Sequence, residues 1–78
     1  MENMTELAEK FTAIGIAWNG LLDACKKGEI ELAKNCKSYI EGYITGLLGD
    51  GILTYEDKLR LCEEMQSHIS NAESSTSE

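Results

Sequence analysis

The sequence predicts an all-α fold: an antiparallel helical hairpin plus a third helix, a three-helix bundle that closes alone or is completed by dimerisation. Three observations predict it. Leu7, Phe11, Ile14, Trp18, Leu21 and Cys25 recur at spacings of 4, 3, 4, 3, 4, a heptad seam. Ile30, Ala33, Cys36, Ile40, Tyr43 (with Ile44) and Leu47 repeat in the same manner at 3, 3, 4, 3, 4. The chain contains no proline, so Gly, Asn, Asp and Ser must make its turns.

The first helix is expected over about residues 4–27. Asn3 and Glu6 have capping-box spacing, in which each side chain satisfies a free N–H near the other. Lys26 and Lys27 place positive charge at the helix end, and Gly28 supplies the left-handed residue beyond it. Asn19-Gly20 is a turn signal inside this span. The seam keeps phase from Trp18 to Leu21 across it, which predicts a continuous helix. The second helix is expected over about 29–48. Its connection at Gly28 is so short that it must run antiparallel to the first. Gly49-Asp50-Gly51 ends it. Thr54 then caps a third helix over about 55–70, with Asp57 at the capping-box position and Glu56 in the first turn. Tyr55, Leu59, Cys62, Met65 and Ile69 are its expected inner face. Residues 71–78, Asn-Ala-Glu-Ser-Ser-Thr-Ser-Glu, read as an acidic, Ser-rich disordered tail after a single helical domain over 1–70.

Seventy-eight residues provide one small core. Chains of this size often lean on disulfides, metals or oligomerisation, and the last fits best. The net charge of −7, from 14 acids against 7 bases, argues against direct binding to nucleic acid or anionic membrane. No apolar run approaches the roughly 18 residues of a membrane span, and no signal peptide is visible. Three cysteines, an odd number, suggest reduced thiols and a cytoplasmic protein.

Glycine carries the functional signal. Gly15, Gly20, Gly42 and Gly46 fall inside expected helices, each at a cost of about 1 kcal/mol relative to alanine. Gly42, Gly46, Asn35 and Ser38 lie opposite Ile40, Ala33 and Leu47 of the second helix's apolar stripe. Between Ser38 and Leu48 the only charge is Glu41. That half-helix is apolar or small nearly all round, the pattern of a segment buried on more than one side. The reading is a second contact face, where small-xxx-small spacing lets another helix approach closely. Ile16, which points away from the first seam, joins it. The expected function is a non-enzymatic protein–protein interaction module, dimeric, binding a partner protein through this face.

An alternative rests on charge. Glu2, Glu6, Glu9, Asp50, Glu56 and Asp57 gather at one end of the antiparallel layout, and Lys26, Lys27, Lys34 and Lys37 at the other. An acidic pole of Glu6, Glu9, Glu56 and Asp57 would dock on a basic surface and compete with its usual ligand, making the protein an inhibitor or nucleic-acid decoy. Small acidic helical proteins of phages and mobile elements, including anti-CRISPR inhibitors of defence nucleases, are similar in size and charge.

No catalytic residue, cofactor or metal site is expected. Cys25, Cys36, Cys62 and His68 have the composition of a zinc site, but there is no C-x-x-C and each cysteine sits on an inner stripe, as small buried hydrophobes do. The third class of function, metal- or redox-responsive, would rest on these thiols. Nothing near His68 in sequence suggests a nucleophile or carboxylate held beside it in a cleft, as a general base needs, and it reads as a solvated helix-end histidine. Gly49-Asp50-Gly51 fails as a calcium loop, because Gly46 and Leu48 would fall at ligand positions. Trp18-Asn19-Gly20 resembles the W-x-G of small secreted helical-hairpin proteins, where the motif marks the turn; here Gly28 is the better turn, and nothing is carried over.

Overall fold

The computed structural model describes residues 3–76, and all its regular structure is helical. The helices are α1 (Met4–Lys10), α2 (Thr12–Lys27), α3 (Ile30–Gly49) and α4 (Tyr55–Thr76). Four helices stand where three were expected, because the first breaks at Phe11.

Most helix ends follow their local chemistry. The Asn3 side chain accepts the Glu6 N–H at 2.8 Å. Gly28 adopts φ 74° and closes α2 with two reaching-back bonds, Gly28 N–H to the Cys25 carbonyl and Glu29 N–H to the Ala24 carbonyl. This is the Schellman arrangement, in which only glycine takes the left-handed position without penalty. α3 ends the same way. Gly51 is at φ 77°, with Gly51 N–H on Leu48 and Ile52 N–H on Leu47. The capping box of α4 is reciprocal: Thr54 N–H donates to the Asp57 carboxylate at 3.0 Å, and Asp57 N–H donates to the Thr54 hydroxyl at 3.1 Å.

The Phe11 break has no such chemistry. Phe11 is extended (φ −124°, ψ 109°) and flanks both helices, as the C-cap of α1 and the N-cap of α2. Asn19-Gly20, the local turn signal, lies inside α2. What folds α1 back is contact with distant residues. Met4 and Leu7 are fully buried, and the Met4 N–H donates to the half-buried Glu64 carboxylate of α4 at 2.9 Å. Gly15 permits the close approach: a Cβ there would lie 2.8 Å from the Ala8 carbonyl oxygen.

The core joins Ile14, Trp18, Leu21 and Ala24 of α2 to Ala33, Ile40, Ile44 and Leu47 of α3. α4 adds Leu61, Met65 and Ile69. Phe11 meets Tyr43 at 5.9 Å between ring centroids, and Gly20 faces the Cys36 thiol, so α2 and α3 run antiparallel. On the other side of α3, Lys34 meets Glu73 at 3.7 Å and Cys62 lies beside Glu41. α4 is therefore antiparallel to α3 as well.

Two expectations for α4 are corrected. Tyr55 and Leu59 face outward, and the inner stripe is Leu61, Met65, Ile69 and Ala72. Helix continues past residue 70 to Thr76, because Ala72 reaches the core and Glu73 pairs with Lys34. Residues 71–76 are thus helical rather than a disordered tail, while 77–78 lie outside the described residues.

Candidate interaction surface

The outer side of α3 is built by default. Its apolar stripe turns Ile40, Ile44 and Leu47 into the core, which leaves Ser38, Tyr39, Gly42, Thr45, Gly46 and Gly49 facing out. None of these carries charge. Glu41 is drawn to the α4 side, half-buried, with Lys37 3.4 Å away. The Thr45 hydroxyl is turned back onto the Glu41 carbonyl at 2.8 Å. A groove of about 280 Å³ runs along this side, lined by Gly42, Tyr43, Gly46, Leu47 and Asp50.

Apart from Gly49 at the end of α3, the helix glycines divide into two pairs. Gly15 and Gly20 face neighbouring atoms of the same molecule, an Ala8 carbonyl and the Cys36 thiol. Gly42 and Gly46 are exposed, and a Cβ at either would meet nothing within 4 Å. Packing within the monomer therefore requires glycine at Gly15, brings Gly20 only into ordinary contact with Cys36, and does not account for Gly42 or Gly46. Ile16 is 70% exposed and Tyr39 55%. The register fixed by Phe11–Tyr43 and Gly20–Cys36 places these two side chains at the same level of the α2–α3 edge, beside Gly42. Ser38, Gly42 and Gly46 are exposed on α3, and Ile16 is exposed on α2.

The acidic residues are less well gathered. The continuous first helix would carry Glu6 and Glu9 toward the end that holds Asp50 and Glu56. The break brings α1 back, with Met4 at the level of Glu64, about two turns along α4 from Asp57. Glu6, Glu9 and Glu56 are exposed. Asp57 is committed to the α4 cap and lies 3.6 Å from Arg60. The Thr54 backbone N–H first, then the Thr54 side chain, hold its carboxyl below the ordinary value. Glu2 lies outside the described residues.

The cysteines are thiols spread over two sites. Burial, and secondarily the nearby Cys36, push Cys25 up. Burial, then a hydrogen bond to Glu41, push Cys62 up. Both shifts favour the protonated thiol over the reactive thiolate. Among the described residues no group of three or more His, Cys, Asp or Glu is placed to hold a metal ion. His68 is exposed and edges onto Trp18, with ring centroids 5.3 Å apart. A second groove, of about 510 Å³, lies between the ends of α2 and α4, with Leu22, Cys25 and Ala72 beneath Lys26, Lys27 and His68. Its lysine rim is partly neutralised, since Lys27 is bound to Asp23 at 3.1 Å.

Sequence reasoning missed one exposed apolar group: Ile52, Tyr55 and Leu59. Their 3- and 4-residue spacing was visible but fits an inner face equally well. Both phases share Met65 and Ile69; the observed one places Leu61 and Ala72 inward in place of Tyr55 and Leu59. Among the described residues no helix is long and apolar enough to cross a membrane. Comparison with family models, curated proteins and solved structures returns no match to this chain.

Proposed function

We propose that this chain is a non-enzymatic protein–protein interaction module that works through the outer side of α3 and pairs there with a second copy of itself. The observation that carries the reading is the pair Gly42 and Gly46, exposed and facing open space in mid-helix. Each forgoes about 1 kcal/mol of helix stability relative to alanine. Among the described residues no contact accounts for that cost; a helix packed closely against this side would. Charge supports a second copy as the occupant. Two chains of net charge −7 repel, and this strip, where Asp50 at the end of the groove is the only acid lining it, sets little acid against acid. Exposed Ile16 and Tyr39 supply apolar area at its edge. The second copy would complete the helical bundle and present a paired surface to a further protein.

Light scattering over a concentration series tests this reading. The wild type is expected to dimerise with little dependence on salt, since an apolar interface is not screened. Gly46→Glu, isolated as the native monomer and not refolded at high concentration, is expected to remain monomeric with its helix content intact. Gly42→Ala and Gly46→Ala each supply the missing methyl and are expected to weaken the dimer while stabilising the monomer by about 1 kcal/mol. A wild type that remains monomeric at high concentration, while both alanine variants are simply more stable, overturns it.

A further inference from the structure

We infer that α1 is an exchangeable arm, and that the site it fills on α2 and α4 also accepts the α1 of a second copy. This association is separate from the α3 side and does not depend on it.

The inference begins with the break at Phe11. Phe11 is neither glycine nor proline, and it is the only residue between α1 and α2. The hydrogen bonds on both sides of it are already helical: Phe11 N–H reaches the Leu7 carbonyl at 3.0 Å, and Gly15 N–H reaches the Phe11 carbonyl at 2.9 Å. The apolar seam also keeps its phase through the break, from Leu7 to Phe11 to Ile14. Both the sequence and the flanking backbone therefore suit one unbroken helix, Met4 to Lys27.

The folded-back form carries a local deficit. α2 starts with no side-chain cap. Its first N–H groups, those of Thr12, Ala13 and Ile14, have no backbone carbonyl partner among the described residues. In an unbroken helix they would bond to Ala8, Glu9 and Lys10. A lone molecule cannot make those bonds without pulling Met4 and Leu7 out of the core and releasing Glu64 from Met4. Two molecules can. Each straightens at Phe11 and lays its α1 onto the other's α2 and α4. The buried side chains and the Glu64 bond are remade between chains, and the three amides of each chain gain partners. The one-residue connection helps, because a short hinge is the usual site of such exchange.

Thr12→Pro separates the two forms. In the folded-back form Thr12 is the first residue of α2, where proline is tolerated because its N–H has no partner to lose. Phe11 already has the extended backbone that a residue before proline prefers. In the unbroken helix the same proline would sit mid-helix and break it. The experiment uses the Gly46→Glu chain, so that association through α3 is absent. It is refolded at high concentration with and without Thr12→Pro, and followed by light scattering and amide hydrogen exchange.

The Gly46→Glu chain is expected to double in mass, and the Thr12, Ala13 and Ile14 amides to exchange at least about tenfold more slowly in the dimer than in the monomer. Adding Thr12→Pro is expected to abolish the dimer while leaving a folded monomer. Absence of a dimer in the Gly46→Glu chain overturns the inference. So does a dimer that survives Thr12→Pro, or one in which these amides gain no protection. Failure of the α3 reading has a different sign: wild type and Gly46→Glu would then associate alike.

Discussion

The junction at Gly28 and the junction at Phe11 both redirect the chain, by opposite means. At Gly28 the turn is made by the residue itself. Its φ of 74° and its two capping bonds close within six residues. At Phe11 nothing local makes the turn; the bend exists because Met4, Leu7 and Glu64 hold α1 from the far side. A locally made turn survives changes elsewhere and fails with its own residue. A turn made at a distance fails with its anchors and leaves the hinge residue free to change state. That difference is why the arm exchange is proposed for Phe11 and not for Gly28.

The largest expected effect breaks the Phe11 junction from afar. Leu7 is almost wholly buried in the shared core. Leu7→Ala should cost about 2–5 kcal/mol where the site cannot collapse, and α1 should detach first, since it is short and has few other anchors. Amide exchange would show it. Phe11, which bonds back to Leu7, should lose protection while Lys26 and Gly28 keep theirs. If α1 remains protected in Leu7→Ala, the junction is held by something local and the comparison fails.

These two junctions also mark what the sequence reveals. Gly28, the Asn3 cap and the Thr54–Asp57 box were legible because each is a short-range pattern with one chemical solution. The inward stripes of α2 and α3 were legible from their period. Phe11 was not, because the seam that predicts a continuous helix is the same seam that places Leu7 and Ile14 in the core of the broken one. The true phase of α4 was hidden because Leu59 and Leu61 begin competing stripes, and only the position of α3 selects between them. Of the candidate surface, the uncharged outer side of α3 was readable. That Gly15 and Gly20 serve the interior while Gly42 and Gly46 face outward was not, since all four weaken an isolated helix alike.

An intermediate effect tests the locally made junction at its own residue. Gly28→Ala forces an L side chain into the left-handed region, at a cost of about 1–2 kcal/mol. Gly28→Asn should recover part of that loss, because asparagine tolerates this conformation. Denaturant midpoints with unchanged slope would measure both. Protection of the Phe11 amide should fall only in step with global stability, in contrast to Leu7→Ala. Equal stability of the alanine variant and the wild type would mean that the turn draws on distant contacts after all.

The smallest effect concerns a third locally made junction, the Thr54–Asp57 cap, and it depends on pH. The Thr54 N–H, the Thr54 side chain and Arg60 all favour the charged form of Asp57, so its folded pKa lies below its unfolded one. The stabilisation is therefore fully present above the ordinary carboxylate value of about 3.9. It is lost as pH falls through the lower folded value, where protonation removes the charge that the cap holds. The effect should be modest, because water screens a charge so near the surface. Asp57→Asn keeps an acceptor and removes the charge. Wild type should exceed Asp57→Asn in stability near neutral pH, and the two denaturation midpoints should converge as the pH falls below the lowered folded value. A difference that persists unchanged into acid would show that shape rather than charge makes the cap. The junction would still be local, but the carboxylate would no longer be what makes it.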